Sequence, residues 1–184
     1  MKTNEAIKDL FLKKILSTPV ESITVSSLSS ELKIKRQTFY YYYRDIFDLV
    51  ESILIDYKND LLFNKSIQLN LVKIIDFCGK NIEFFNACVT SNLKDIFHDF
   101  IFDLLLKYSK EKVLTIAASN NLNNDDINEI SSFFASGLSL FLENKLKDKD
   151  DFDSSRVVNK MDLLSSKEIL NRVLMDYYEN RKRI

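Results

Sequence analysis

Apolar residues recur along most of this chain at the three-and-four spacing of amphipathic helices, interrupted at short intervals by polar clusters. Ile7, Leu10, Phe11 and Ile15 share one face and Pro19 stops the segment, which predicts a first helix from about Asn4 to Leu16. Thr24, with Ser27 three residues on, stands where a second helix is capped, and Leu28 and Leu32 give that short helix one apolar edge. A break over Lys33 to Lys35 separates it from a third helix, Arg36 to Tyr43. Asp45 then caps a longer helix whose stripe is Ile46, Leu49, Val50, Ile53, Leu54, Tyr57 and Leu61.

The pattern continues through Leu71–Cys78, Ile82–Val89 and a strongly amphipathic stretch with Leu93, Ile96, Phe97, Phe100, Ile101, Leu104, Leu105 and Tyr108. Asn120 to Asn124 form a polar break. Asp125 and Asp126 favour a helix start, and Ile127, Ile130, Phe133, Phe134, Leu138, Phe141 and Leu142 make a wide apolar face behind them. Lys147 to Asp153 read as a charged loop, and residues 154–164 fit no single pattern. Ser165 or Ser166 opens a last helix with Ile169, Leu170, Val173, Leu174, Tyr177 and Tyr178, and Arg181-Lys182-Arg183 suits its C-terminus. The expectation is an all-α fold in two domains: a helix-turn-helix module over 1–50 and a helical bundle over 51–184.

Composition narrows the choice. The chain has 184 residues, 46% of them hydrophobic, yet only two glycines and one proline, so hairpins and phosphate-cradling loops lack their usual material. Cys78 and Cys88 have no CxxC spacing and read as packing residues. The N-terminus leads into no signal-peptide core, so the expected compartment is the reducing cytoplasm. Apolar runs such as Phe100-Ile101-Phe102 end at Asp103, far short of the ~20 residues a membrane helix needs. His98 is the single histidine. It carries no HExxH or triad spacing, and no nucleophile elbow or Gly-rich loop is present, so no catalysis, metal or cofactor is expected.

Net charge is −1, but residues 1–50 hold eight Lys/Arg against six Asp/Glu. Lys33, Lys35, Arg36 and Arg44 surround the third helix with no acidic residue between them. A recognition helix must fill a major groove ~12 Å wide, with polar side chains near its start reaching base edges and neighbours holding phosphate oxygens. Phe39 and Tyr43, four apart, can pack inward and leave Arg36, Gln37, Tyr40 and Tyr41 outward. Exposed tyrosines offer a hydroxyl to phosphate and a flat face to sugar or thymine methyl. An aromatic patch holding the module against its neighbours explains the tyrosine run equally well.

In order and at fixed spacing, Thr24, Leu28, Leu32, Ile34, Thr38-Phe39-Tyr40, Tyr43, Asp45 and Leu49 resemble the signature of TetR/AcrR transcriptional regulators. Phe133-Phe134 with Gly137 and Leu138 resembles a C-terminal subtype of that family. The resemblance implies that Thr24, Thr38, Tyr40 and Tyr42 contact phosphates and that Arg36, Gln37 and Tyr41 reach bases, while Lys35 and Arg44 are expected to supply positive charge that departures from the family pattern remove. Three positions depart from the pattern. Lys33 stands where the family commonly has Gly in the turn, Lys35 where a Ser-like cap is usual, and Ile46 where a phosphate-binding Lys is common.

One such module touches few base pairs, so two are expected on a pseudo-palindromic duplex operator with half-sites ~34–36 Å apart. The chain is expected to form a homodimer through residues 127–142 and 169–178. The resemblance further implies a repressor released by a small effector bound in the C-terminal domain. Phe84, Phe85, Phe97, Phe100, Phe134 and Phe141 are candidates to line an apolar or aromatic effector cavity, although plain core packing accounts for them more cheaply. The alternative function is a coactivator or interaction module that works through another protein and grips DNA weakly or not at all.

Overall fold

A computed structural model describes residues 2–61, 66–117 and 120–181, with side chains placed at neither 60 nor 175–181. The helices are α1 (Thr3–Ile15), α2 (Val25–Glu31), α3 (Arg36–Tyr42), α4 (Ile46–Asp60) and α5 (Ile67–Lys80). They continue with α6 (Ile82–Val89), α7 (Lys94–Ala117), α8 (Asn124–Lys147), α9 (Ser154–Leu164) and α10 (Lys167–Arg181). Single 3-10 turns sit at Val20–Ser22 and Lys149–Asp151, and the described residues contain no strand. The all-α expectation is met. The rings of Tyr177 and Tyr178 and the cationic end at Arg181, Lys182 and Arg183 lie outside the described residues.

Side-chain caps start several of these helices. The Asp126 amide donates to Asn123 Oδ1 at 2.9 Å, and the Asn123 amide donates back to Asp126 Oδ2 at 3.2 Å, closing a box at the start of α8. Ser166, not Ser165, caps α10, accepting from the Ile169 amide at 3.4 Å. Ser165 is buried instead, with its Oγ 2.9 Å from the Tyr108 hydroxyl. The segment 154–164, unassigned by pattern, is a helix because Asp153 accepts from the Arg156 amide at 2.8 Å and Val157, Val158 and Met161 bury one face. That face packs on α5, where Gly79 makes room: a Cβ there would stand 2.7 Å from Ser154 Oγ and 3.3 Å from the Phe152 ring.

The main core runs without interruption from the N-terminal helices into the body. Ile7, Phe11, Leu28, Phe39 and Leu49 belong to the same buried cluster as Ile53, Ile75, Phe85, Phe97, Leu138 and Leu142. A second, smaller cluster joins the end of α7 to the start of α8 and to α10 through Val113, Ile116, Ile127, Phe134, Leu170 and Leu174. Position 50, the expected domain boundary, falls inside the unbroken α4. That helix is tied to α1 by Lys8 Nζ donating to the Ser52 carbonyl at 3.1 Å and to α7 by the Lys58–Asp103 ion pair at 2.8 Å. Helix α6 packs on α1, and its Asn86 amide donates to the carbonyls of Leu146 and Lys147 at 2.9 and 3.0 Å, at the end of α8. The N-terminal helices thus rest on the body through two struts, α4 and α6.

Candidate nucleic-acid interface

Thr24 opens the candidate interface. Its Oγ1 accepts from the Ser27 amide at 3.1 Å while the Ser27 hydroxyl accepts from the Thr24 amide at 3.1 Å, so both ends of the first turn of α2 are satisfied. The exit from α2 is equally defined. Lys33 adopts φ 54°, its amide donates to the Ser30 carbonyl at 3.1 Å, and the Ile34 amide donates to the Ser29 carbonyl at 3.0 Å. These two bonds are the closing pattern of a helix that ends in a left-handed residue. The turn therefore keeps the glycine-type geometry with a lysine in it, at a cost on the order of 1 kcal/mol.

Lys35 precedes α3 in extended conformation and its side chain makes no capping bond, as its type requires. Two aromatic residues then fix the orientation of α3. Phe39 is fully buried, and Tyr43, just past the helix end, lies 5.7 Å from it ring to ring, with its hydroxyl donating to the Asn4 carbonyl of α1 at 3.4 Å. Burial pushes the Tyr43 phenol above its ordinary pKa. With that side locked, the opposite side is presented to solvent. Arg36 and Gln37 are exposed, Thr38 is half-buried, and Tyr40, Tyr41 and Tyr42 are exposed by 56%, 82% and 40%. The exposure of three consecutive tyrosines decides against their being one inward-facing packing patch. Tyr41 and Tyr42 brace one another edge to face at 4.9 Å.

The electrostatics are one-sided. Among the described residues Lys33, Lys35 and Arg36 are exposed and make no ion pair. Arg44 is held: its guanidinium donates to Asp48 Oδ1 at 3.2 Å and its amide to Asp48 Oδ2 at 2.8 Å. The Arg44 backbone bond, followed by the guanidinium, holds the Asp48 carboxyl below the usual carboxylate range. Asp48 was not singled out from sequence, though it lies three residues after the cap Asp45, whose Oδ1 accepts from the Asp48 amide at 2.9 Å. That spacing was the available signal.

The six phenylalanines proposed to line one cavity do not gather. Phe84, Phe85, Phe97 and Phe100 are buried and pack ring on ring, with Phe85 centred 5.3, 5.1 and 6.2 Å from the other three. Tyr57 and Phe77 complete that cluster. Phe134 belongs to the second core with Leu170 and Leu174, and Phe141 is half-buried near α9. Phe134 and Phe141 are seven residues, or ~10 Å, apart along α8, so they meet different neighbours. Phe100 also borders an open groove of about 210 Å³ between α4 and α7, beside Leu54, Ile55 and Ile96.

His98 Nδ1 lies 2.6 Å from Glu143 Oε1, bridging α7 and α8. Cys78 and Cys88 are both buried, which pushes their thiols far above the ordinary range. No helix among the described residues is long and apolar enough to cross a membrane.

No curated protein matches the chain by sequence. Among solved structures, the dihydroxyacetone kinase operon activator DhaS superposes with a TM-score of 0.62 at 19% identity, over 86% of this chain and 93% of its own. That likeness concerns the fold. Residues 65–167, more than half of the chain, match the family TetR_C_8, described as a transcriptional regulator C-terminal region. The body carries this match and the N-terminal helices carry the Thr24-to-Leu49 pattern, so the chain belongs to the TetR-type transcriptional regulators and is not an enzyme.

Proposed function

We propose that this regulator binds duplex DNA as a homodimer, reads a pseudo-palindromic operator with α3, and acts as a repressor released by a small-molecule effector. The observation that carries the reading is the division of α3. Phe39 and Tyr43 anchor it, and Arg36, Gln37, Tyr40 and Tyr41 stand free on a surface where Lys33, Lys35 and Arg36 form no ion pair among the described residues. Arg36 and Gln37 at the start of α3 suit base edges, since Arg pairs with guanine and Gln with adenine through two bonds each. Thr24, Lys35, Thr38, Tyr40, Tyr42 and Arg44 suit phosphates, with Tyr41 extending the base-facing surface.

Support for a dimer comes from α8. Phe133 and Leu140 are exposed by 68% and 57%, and Gly137 lies between them on the same stripe. A Cβ on Gly137 would meet nothing within 4 Å, so the subunit's own packing does not call for glycine there. A glycine inside a helix costs about 1 kcal/mol relative to alanine. Close approach of the same helix from a second copy gives it a use. Bound across a promoter, such a dimer blocks access to it, and an effector that favours another spacing of the two α3 helices releases it by reciprocal coupling.

Selection of duplexes from a randomised library by the purified chain tests the reading. Two inverted half-sites, centred about one helical turn or a whole number of turns apart, are expected. Recovery of no enriched sequence, or of a single unpaired element, would overturn it.

A further inference from the structure

Between the C-terminal part of α8 and α9 lies a groove of about 260 Å³ with an apolar floor and a cationic rim. Phe141 and Val157 form the floor, and Lys145, Arg156 and Lys160 rise around it with one acidic residue, Asp151. Asp151 is already engaged. Arg156 Nη2 donates to its Oδ1 at 2.7 Å and to its carbonyl at 2.9 Å, and Lys145 adds to the field that keeps this carboxyl ionised. Lys145 and Lys160 have no carboxylate partner among the described residues. Lys145 instead stands over the Phe141 ring, 6.0 Å from its centre, so charge and apolar surface meet at one point.

A basic residue in the last turn of α8 has a plain use in complementing the helix dipole. That use does not explain Lys160, in the middle of α9, or why it lines one groove with the half-buried Phe141. Three cations against the one carboxylate of Asp151, beside an apolar trough, are the complement of a molecule with one anionic and one apolar end. The groove is slightly smaller than the 300–1,000 Å³ usual for drug-sized ligands. We propose that it binds a small amphipathic carboxylate, with the carboxylate between Lys145 and Lys160 and the apolar part on Phe141 and Val157.

The position gives such a ligand a route to the N-terminal helices. Directly after Lys145, the Leu146 and Lys147 carbonyls are held by Asn86 of α6, Lys149 pairs with Glu83 of the same helix, and α6 packs on α1. Around α8, Phe141 and Lys145 lie about 40° and 80° from Gly137, so the groove borders the proposed dimer patch and opens away from it toward α9. This assignment names the effector class of the regulator proposed above, and its consequence for DNA rests on that reading. The binding itself does not.

Isothermal titration of octanoate, below its micelle concentration, into the full chain in low-salt buffer without DNA tests the assignment. One site per chain is expected, weakened about tenfold or more in the Lys145→Gln/Lys160→Gln variant, whose side chains are not part of the core. Octanol, which lacks the charge, and acetate, which lacks the chain, should each bind at least about tenfold more weakly than octanoate. Absence of octanoate binding, a double variant within about twofold of the parent, or octanol binding as tightly as octanoate would each overturn it. A chain that binds octanoate but selects no duplex would sink the DNA reading and leave this one standing, and the reverse result would do the opposite.

Discussion

The Ile34 amide donates to the Ser29 carbonyl at 3.0 Å, closing the turn between α2 and α3 across a left-handed lysine. A side chain in that conformation is strained, and glycine is not. Lys33→Gly should therefore stabilise the protein by about 1 kcal/mol, whereas Lys33→Val, with a branched Cβ, should destabilise it by at least as much. Urea unfolding at unchanged slope measures both. A destabilised glycine variant would mean that the lysine side chain contributes more than its backbone costs.

The proposed reading divides the exposed side chains of α3 into those that reach bases and those that hold the backbone. Arg36→Ala and Gln37→Ala should relax preference by about 1–3 kcal/mol at the affected base pairs, while Tyr42→Phe should weaken all sequences alike. Library selection repeated with each variant distinguishes these outcomes. Uniform loss of affinity in all three would remove Arg36 and Gln37 from the base-reading role.

Asp48 links the start of α4 to Arg44, and its folded-state pKa lies below the ordinary 3.8. A carboxyl depressed in the folded state contributes stability above the unfolded value, and that contribution fades as pH falls through the folded one. Asp48→Asn should thus be less stable than the parent near neutrality, with the gap constant down to about pH 5 and narrowing as pH falls through the folded-state pKa. Urea midpoints across that range provide the check. A gap that does not narrow at any pH below the ordinary carboxylate range would show that the carboxylate charge is not involved.

The exposed stripe on α8 predicts a separable effect on assembly. Phe133→Asp with Leu140→Asp should raise the dimer dissociation constant about 30-fold or more, equivalent to at least ~2 kcal/mol, while leaving the helical content of the subunit intact. Sedimentation equilibrium with circular dichroism tests this. A parent chain that sediments as a monomer at micromolar concentration contradicts the dimer.

Where local signals were strong, the sequence predicted structure closely. Helix α6 has the expected bounds, Ile82–Val89, and Thr24 with Ser27 forms the expected cap. The weaker readings failed for identifiable reasons. Lys110, Glu111 and Lys112 hid the continuation of α7, although Val113 and Ile116 beyond them are fully buried. Asn70 is polar yet buried, which masked the start of α5. Asp45 was legible as a cap, but Asp48 and its grip on Arg44 were not, because a side-chain bond between neighbouring turns has no hydrophobic period. The phenylalanines failed most clearly as a group, since periodicity gives the face of a helix and not its neighbour at each level. Phe85 and Phe134 therefore belong to different cores.

The salt dependence of binding to a selected duplex bears most directly on the claim that α3 and its cations engage the phosphate backbone. Two heads making about eight phosphate contacts predict a log–log slope of about −7 between observed affinity and salt concentration, and Lys35→Ala should reduce its magnitude by about two in the dimer. A slope near zero, or one unchanged by Lys35→Ala and Arg36→Ala together, would contradict the assignment of this surface to DNA.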